Sequence, residues 1–210
     1  MDKLILIGGG GHCRSCIDVV ESGMKYKILG ILDLPHLKGA TILGYPVIGT
    51  DELIPELVAQ GYKFLITIGQ LKNNTARKSV FQKLESDLSK LVTVISQSAV
   101  VSKHSLINPG SIVMHNAVVN AGATIGYNCI INTGSLIEHD SKIGDHSHIA
   151  THAVLNGDCV VGNDVFVGSG AIVINGIRIC DESIIAAGTI VNRSINESGT
   201  YAGNPCHKIK

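Results

Sequence analysis

Along the first ninety-odd residues, short aliphatic runs alternate with stretches whose apolar positions recur at helical spacing, which is the pattern of a parallel α/β unit. Lys3 to Ile7 is a buried-strand candidate and Gly8 to Gly11 a turn; Cys16, Ile17, Val19 and Val20 then place one apolar face on a helix. A second strand runs from Lys27 to Leu32 and ends at Asp33. Pro35 to Gly49 carries Gly and Pro punctuation around a short strand, after which Thr50 or Asp51 caps a helix over Glu52 to Ala59. Phe64 to Ile68 reads as the third core strand, followed by a helix from about Asn74 to Leu88 and a short strand from Leu91 to Ile95.

From residue 101 the period becomes a strict six. Val101, Ile107, Val113, Val119, Ile125, Ile131, Ile137, Ile143, Ile149, Leu155, Val161, Val167, Val173, Ile179, Ile185 and Val191 are all aliphatic. The residue four places on is nearly always small, with Val165 and Ile177 as exceptions. Neither 3.6 nor 2.0 produces this pattern, whereas a triangular solenoid does: each unit is one short strand plus a corner, and three units close a coil. The 90 residues from 101 to 191 make five coils of 18, a prism roughly 24 Å tall at strand spacing. The expected division is therefore 1–95 and 96–210.

Composition adds exclusions. The 210 residues carry 17 Lys+Arg and 17 Asp+Glu, for a formal charge of zero, and no basic tract, which speaks against nucleic acid as a partner. The longest apolar run, Leu4 to Ile7, is far short of a membrane span, and no signal-peptide pattern opens the chain. Six cysteines in a chain large enough to fold without staples suit reduced thiols and a cytoplasmic location. Hydrophobic residues are 45% of the chain but aromatics only 4%, as a narrow aliphatic prism requires.

Three features could carry chemistry. Gly8-Gly9-Gly10-Gly11-His12 closes a strand and precedes a helix, where glycines allow a phosphate to approach free N–H groups; a ligand-free tight turn is the alternative. Cys13 stands where a dinucleotide fingerprint has its third glycine, and Asp33 is placed to meet a ribose or base, or to serve as a turn residue. Cys13-Arg14-Ser15-Cys16 has redox spacing, but packing of Cys16 beside Ile17 and Val20 accounts for it better. Finally, histidines gather at His139, His146, His148 and His152, with His139 next to Asp140 on outward positions. Such a pair has what a general base needs. A surface histidine and a zinc site compete for the same residues.

Taken together, the two halves resemble the bacterial sugar O- and N-acyltransferases of the sialic acid O-acetyltransferase (NeuD) type and their relatives that N-acetylate nucleotide-linked 4-amino sugars (the PglD type). The elements that carry the resemblance are the Gly8 to His12 loop, Thr67-Ile68-Gly69, Ile131-Asn132-Thr133, Ile137-Glu138-His139-Asp140, Ser147-His148-Ile149, Asn156-Gly157 and Tyr201-Ala202-Gly203-Asn204-Pro205. It implies a Rossmann-like nucleotide-sugar-binding domain followed by a left-handed parallel β-helix acyltransferase domain with a C-terminal tail. It also implies a cytoplasmic homotrimer with active sites between subunits and acetyl-CoA as co-substrate, without a metal. By the same resemblance His139 is the general base and Asp140 orients it; Asn132 and His148 line the acetyl-CoA and acceptor pocket between adjacent subunits, where the Gly157 N–H stabilises the thioester oxyanion, with Gly203 and Pro205 near coenzyme A. Gly8, Gly9, Gly10, Gly11, His12, Asp33 and Gly69 hold the nucleotide. The chain departs from the family pattern at Leu34, His152 and Cys206-His207. The implied activity is N-acetylation of a nucleotide-linked 4-amino-4,6-dideoxy sugar for surface glycan synthesis; O-acetylation of a sialic acid-type sugar is the alternative. A zinc-dependent lyase and a non-catalytic nucleotide-sugar sensor are the readings outside this class.

Overall fold

A computed structural model of the protein describes residues 1–70 and 73–210, which form two compact units, Met1–Gln97 and Ser98–Lys210. The first unit begins with strand β1 (Asp2–Ile7), whose Leu4 to Ile7 are fully buried, as a central parallel strand demands. Helix α1 (Gly11–Gly23) buries Cys13, Cys16, Ile17, Val19 and Val20 on one face. Strand β2 (Tyr26–Leu32), the short β3 (Thr41–Ile42) and β4 (Tyr45–Gly49) follow, then α2 (Ile54–Ala59), β5 (Lys63–Ile66) and α3 (Thr75–Leu84). The sheet order is β3-β4-β2-β1-β5, parallel except for the β3–β4 pair. Because β1 lies between β2 and β5, the chain leaves it in opposite directions, and the carboxyl ends of these three strands form the place where such sheets receive ligands.

The Thr50 cap is present, its Oγ1 accepting the Glu52 N–H at 3.4 Å, over a 3-10 turn, Asp51–Leu53, that leads into α2. Two expectations change. The helix foreseen from Asn74 to Leu88 stops at Leu84 and continues as 3-10 turns, Glu85–Lys90, interrupted at Asp87 (φ −141°, ψ 79°). There the Asp87 carboxylate accepts the Ser89 N–H, a local bond that competes with helical pairing. The strand foreseen from Leu91 shrinks to Val94–Ile95, with Leu91 bridging to Phe64 alone.

The second unit is the left-handed parallel β-helix. Two-residue strands recur every six residues, and each pairs in parallel with the strand 18 residues away: Val118–Val119 with Leu136–Ile137, Thr124–Ile125 with Lys142–Ile143, Ile130–Ile131 with His148–Ile149. The second residue of each strand points inward and the first outward. From Val113 to Val191 the inward aliphatics are all buried in one continuous cluster. At the third position after each inward aliphatic, from Gly110 to Gly188, φ lies between 53° and 78°. Those corners are filled by Gly, Asn, Asp and His, with Glu182 the one longer chain; these short polar residues tolerate the left-handed conformation best. The small residues one place on also bond between coils. Ser141 Oγ donates to the Asn156 carbonyl (2.9 Å) and accepts the Cys159 N–H (3.2 Å). Cys159 in turn donates its thiol to the Ile174 carbonyl (3.1 Å), so it packs in the role of a serine.

Candidate functional site

The corner that follows strand Leu136–Ile137 presents Glu138, His139 and Asp140. Asp140 sits at φ 60°, which turns its carboxylate back toward the preceding ring: Oδ2 lies 2.9 Å from His139 Nδ1. Both side chains are well exposed. The hydrogen bond from Asp140 is the main cause that raises the His139 pKa above the ordinary imidazole range, with the charges of Asp140, Glu138 and Asp158 adding to it. With Nδ1–H donated to Asp140, Nε2 carries the free lone pair of the neutral ring.

One coil along, Gly157 lies directly under that ring. A Cβ at Gly157 would stand 2.6 Å from His139 Nε2 and 2.7 Å from Cε1, so only glycine leaves room for the imidazole. Gly157 is buried, and its N–H donates to no acceptor among the described residues. A base lone pair and an unused peptide donor thus lie side by side, the pairing that acyl transfer to a nucleophile needs. Asp140 and Gly122 repeat the arrangement on the coil before, the carboxylate occupying the space a Cβ at Gly122 would take.

Within the single chain the other histidines lie apart from this corner. His146 Nδ1 is bonded to Asn128 Nδ2 (3.0 Å) on the next corner, and His152 packs over Gly134 on the third. His148 is buried at 6% exposure, accepting Asn132 Nδ2 at its Nε2 (3.0 Å) and meeting Phe166 edge-on, with centroids 5.2 Å apart. Residues adjacent in sequence are distributed over three corners because a triangular coil turns every six residues. The histidine cluster of the sequence therefore resolves into separate contacts: His139 with Asp140 and Gly157, and Asn132 with His148 on another side of the prism. Gly203 and Pro205 are in a third place, lining a cleft with Asn192, Arg193, Asn204, Cys206 and His207 near the carboxyl end of the solenoid.

In the first unit, the glycine loop divides by function. Gly8 has φ 101° and its N–H donates to the Leu32 carbonyl (2.8 Å); a Cβ there would strike Ile68. Gly9 donates its N–H to Asp33 Oδ2 (2.7 Å), and a Cβ there would strike that carboxylate. Asp33 Oδ1 accepts the Leu34 N–H (2.8 Å), so Asp33 ties the end of β2 to the glycine loop. Gly10 and Gly11 differ: a Cβ on either meets nothing within 4 Å. Gly10 caps α1 without a side-chain bond, and the first turn holds no acid, which leaves N–H groups open to an anion. His12 packs against Gly69. Ile7, Gly8, Leu32, Asp33, Leu34, Thr50 and Ile68 line a cleft of about 310 Å³ beside the loop.

Cys13 and Cys16 are both fully buried, and burial pushes both thiols up, away from the thiolate that redox chemistry needs. Sequence reasoning missed Arg77, which is 1% exposed and donates to the Ile66 and Ile68 carbonyls (2.9 and 3.0 Å), holding the loop after β5. Its signal was available: Arg77 occupies the same face of α3 as Val80, Phe81 and Leu84, where every other residue is apolar. Among the described residues no helix is long and apolar enough to cross a membrane.

Comparison with known proteins bears on both units. Residues 3–84 match the model of the PglD N-terminal domain, and residues 159–193 that of the hexapeptide repeat of succinyl-transferase. PerB from Caulobacter crescentus, solved in complex with CoA and GDP-perosamine, is 31% identical over 100% of this chain and 98% of its own, with a TM-score of 0.90. The acetyltransferase domain of PglB from Neisseria gonorrhoeae is 29% identical over 100% of both chains, with a TM-score of 0.92. WeeI from Acinetobacter baumannii shares the fold at 22% identity, with a TM-score of 0.85.

Proposed function

Since the chain belongs to the bacterial sugar acyltransferases of the NeuD and PglD type, built on the hexapeptide repeat, we propose that it transfers the acetyl group of acetyl-CoA to the 4-amino group of a nucleotide-linked amino-deoxy sugar. The observation that carries this reading is the stack of His139, Asp140 and Gly157. The PerB complex with CoA and GDP-perosamine, and that of the PglB domain with acetyl coenzyme A, support the pair of substrates.

The chemistry balances with the groups present. The sugar amine attacks the thioester carbonyl, and the carbonyl oxygen becomes an oxyanion facing the Gly157 N–H. His139 Nε2 takes a proton from the attacking nitrogen, and Asp140 favours the imidazolium that results. The C–S bond then breaks, the thiolate of coenzyme A leaves with that proton, and an amide remains. The step calls for no covalent enzyme intermediate. The N–H groups at Gly10, Gly11 and the start of α1 receive the diphosphate of the sugar nucleotide.

The working form is a homotrimer with active sites between subunits. Along one side of the prism the outward residues are Val100, Val118, Leu136, Val154, Ile172 and Ile190, an unbroken aliphatic column that is exposed or half-exposed in the single chain. A neighbouring side carries Lys142 and Arg178 at the equivalent positions. An aliphatic column of that length favours burial against another copy. Its position beside the His139 corner brings a second subunit to the site, where Asn132, His148 and the Gly203-Pro205 tail supply contacts to coenzyme A and the acceptor. Acetyl-CoA and sugar nucleotides place the reaction in the cytoplasm, on the route to a surface glycan. Acetyl transfer to an amino sugar and its absence with the amine-free sugar test the reading; transfer to the amine-free sugar instead would assign O-acetylation.

A further inference from the structure

The cleft at the carboxyl ends of β1, β2 and β5 sorts its ligand by chemistry. Leu32, Leu34, Pro35 and Ile68 give it apolar walls, and Leu34 stands 58% exposed at its rim. Its charged lining residues are all carboxylates: Asp33, Asp51 and Glu52, with no Lys, Arg or His among the described ones. A phosphate here would meet like charge, whereas an uncharged flat heterocycle would meet apolar surface and acceptors.

The three carboxylates differ in what they have left to offer. Asp33 already accepts the Gly9 and Leu34 N–H groups. Asp51 is paired with Lys83. The Glu52 side chain makes no hydrogen bond or ion pair among the described residues, while its backbone N–H is fixed by Thr50. A carboxylate is an acceptor with two oxygens side by side, so its matching partner presents two adjacent donors. Guanine alone among the bases does so, with N1–H beside its exocyclic amino group. Uracil and thymine place one N–H between two carbonyl oxygens, and adenine and cytosine set an amino group beside an unprotonated ring nitrogen; each would turn an acceptor toward the carboxylate.

Resting on the reading of this unit as the nucleotide-sugar subsite, we propose that the cleft binds a guanine base and that Glu52 selects it, so that the acceptor is a guanosine diphosphate-linked sugar. Calorimetric titration of the full chain with GDP, UDP, dTDP and ADP tests this. GDP is expected to bind about tenfold or more tighter than the other three. Glu52→Gln, which replaces one acceptor oxygen by a donor, is expected to remove most of that preference at an unchanged melting temperature. UDP, dTDP or ADP binding as tightly as GDP overturns the guanine assignment and leaves a nucleotide-linked acceptor standing; a GDP preference that Glu52→Gln leaves intact overturns the selecting role of Glu52. If none of the four binds, the nucleotide-linked acceptor falls, and this inference with it.

Discussion

Asp140 holds His139 at Nδ1, 2.9 Å away, and does so from a left-handed backbone position that presents its carboxylate to the neighbouring side chain. The bond raises the imidazole pKa. A base works in its unprotonated form, so kcat should rise with pH through a midpoint above the ordinary histidine value of about 6.5. Asp140→Asn keeps a residue that tolerates this φ but removes the charge, and the midpoint should move down. A pH profile of Asp140→Asn that overlays the wild type would show that Asp140 does not tune the base.

Gly157 has no side chain because the His139 ring occupies its place. Its backbone is not left-handed, so Gly157→Ala is tolerated by the main chain while the new methyl displaces the imidazole. A shift of this kind, on the order of 1 Å, should lower kcat by about 10²-fold with little change in melting temperature. Steady-state kinetics beside a thermal melt measure both; full activity in the alanine variant would mean that the position of His139 over Gly157 is catalytically idle.

The glycine loop predicts a contrast between neighbours. Gly8→Ala meets Ile68 at a φ of 101° and should cost about 1–3 kcal/mol of stability. Gly10→Ala and Gly11→Ala meet nothing in the chain and should fold normally, yet weaken nucleotide binding because the ligand needs the space. Unaltered affinity in both variants would reduce the loop to a turn without ligand.

The aliphatic column through Leu136 and Val154 predicts the assembly. Leu136→Lys puts a charge into that face without touching the prism interior, and should convert a trimer to monomers in sedimentation while the melting transition of the solenoid persists. A trimer that survives the substitution would place the interface on another side.

Much of this was legible in the sequence, for unequal reasons. The solenoid was plain because each sixth residue must fill a narrow prism, and the structure keeps that register from Val113 to Val191 without a slip. The glycine loop was legible as a whole, but not the division between Gly8 and Gly9, which the fold requires, and Gly10 and Gly11, which it does not; that depends on what Ile68 and Asp33 bring near. The partnership of His139 with Gly157 joins residues 18 apart, one coil, and the period made it computable. Adjacency along the chain does not survive folding: His146 and His152 lie on other corners than His139, and His148 on a strand of another side. Arg77 showed itself only as a charge on the apolar face of α3; the carbonyls it satisfies belong to a loop whose path the fold defines.

The role proposed for His139 is to remove a proton from a sugar amine as the amine takes the acetyl group. Its most direct test is the turnover of acetyl-CoA with a nucleotide-linked 4-amino sugar by the wild-type chain and by His139→Asn, reading free thiol and product mass together. Stoichiometric thiol release and gain of one acetyl group on the amino sugar are expected of the wild type, with a large loss of turnover in His139→Asn while nucleotide binding is retained. Wild-type turnover in His139→Asn would contradict that role.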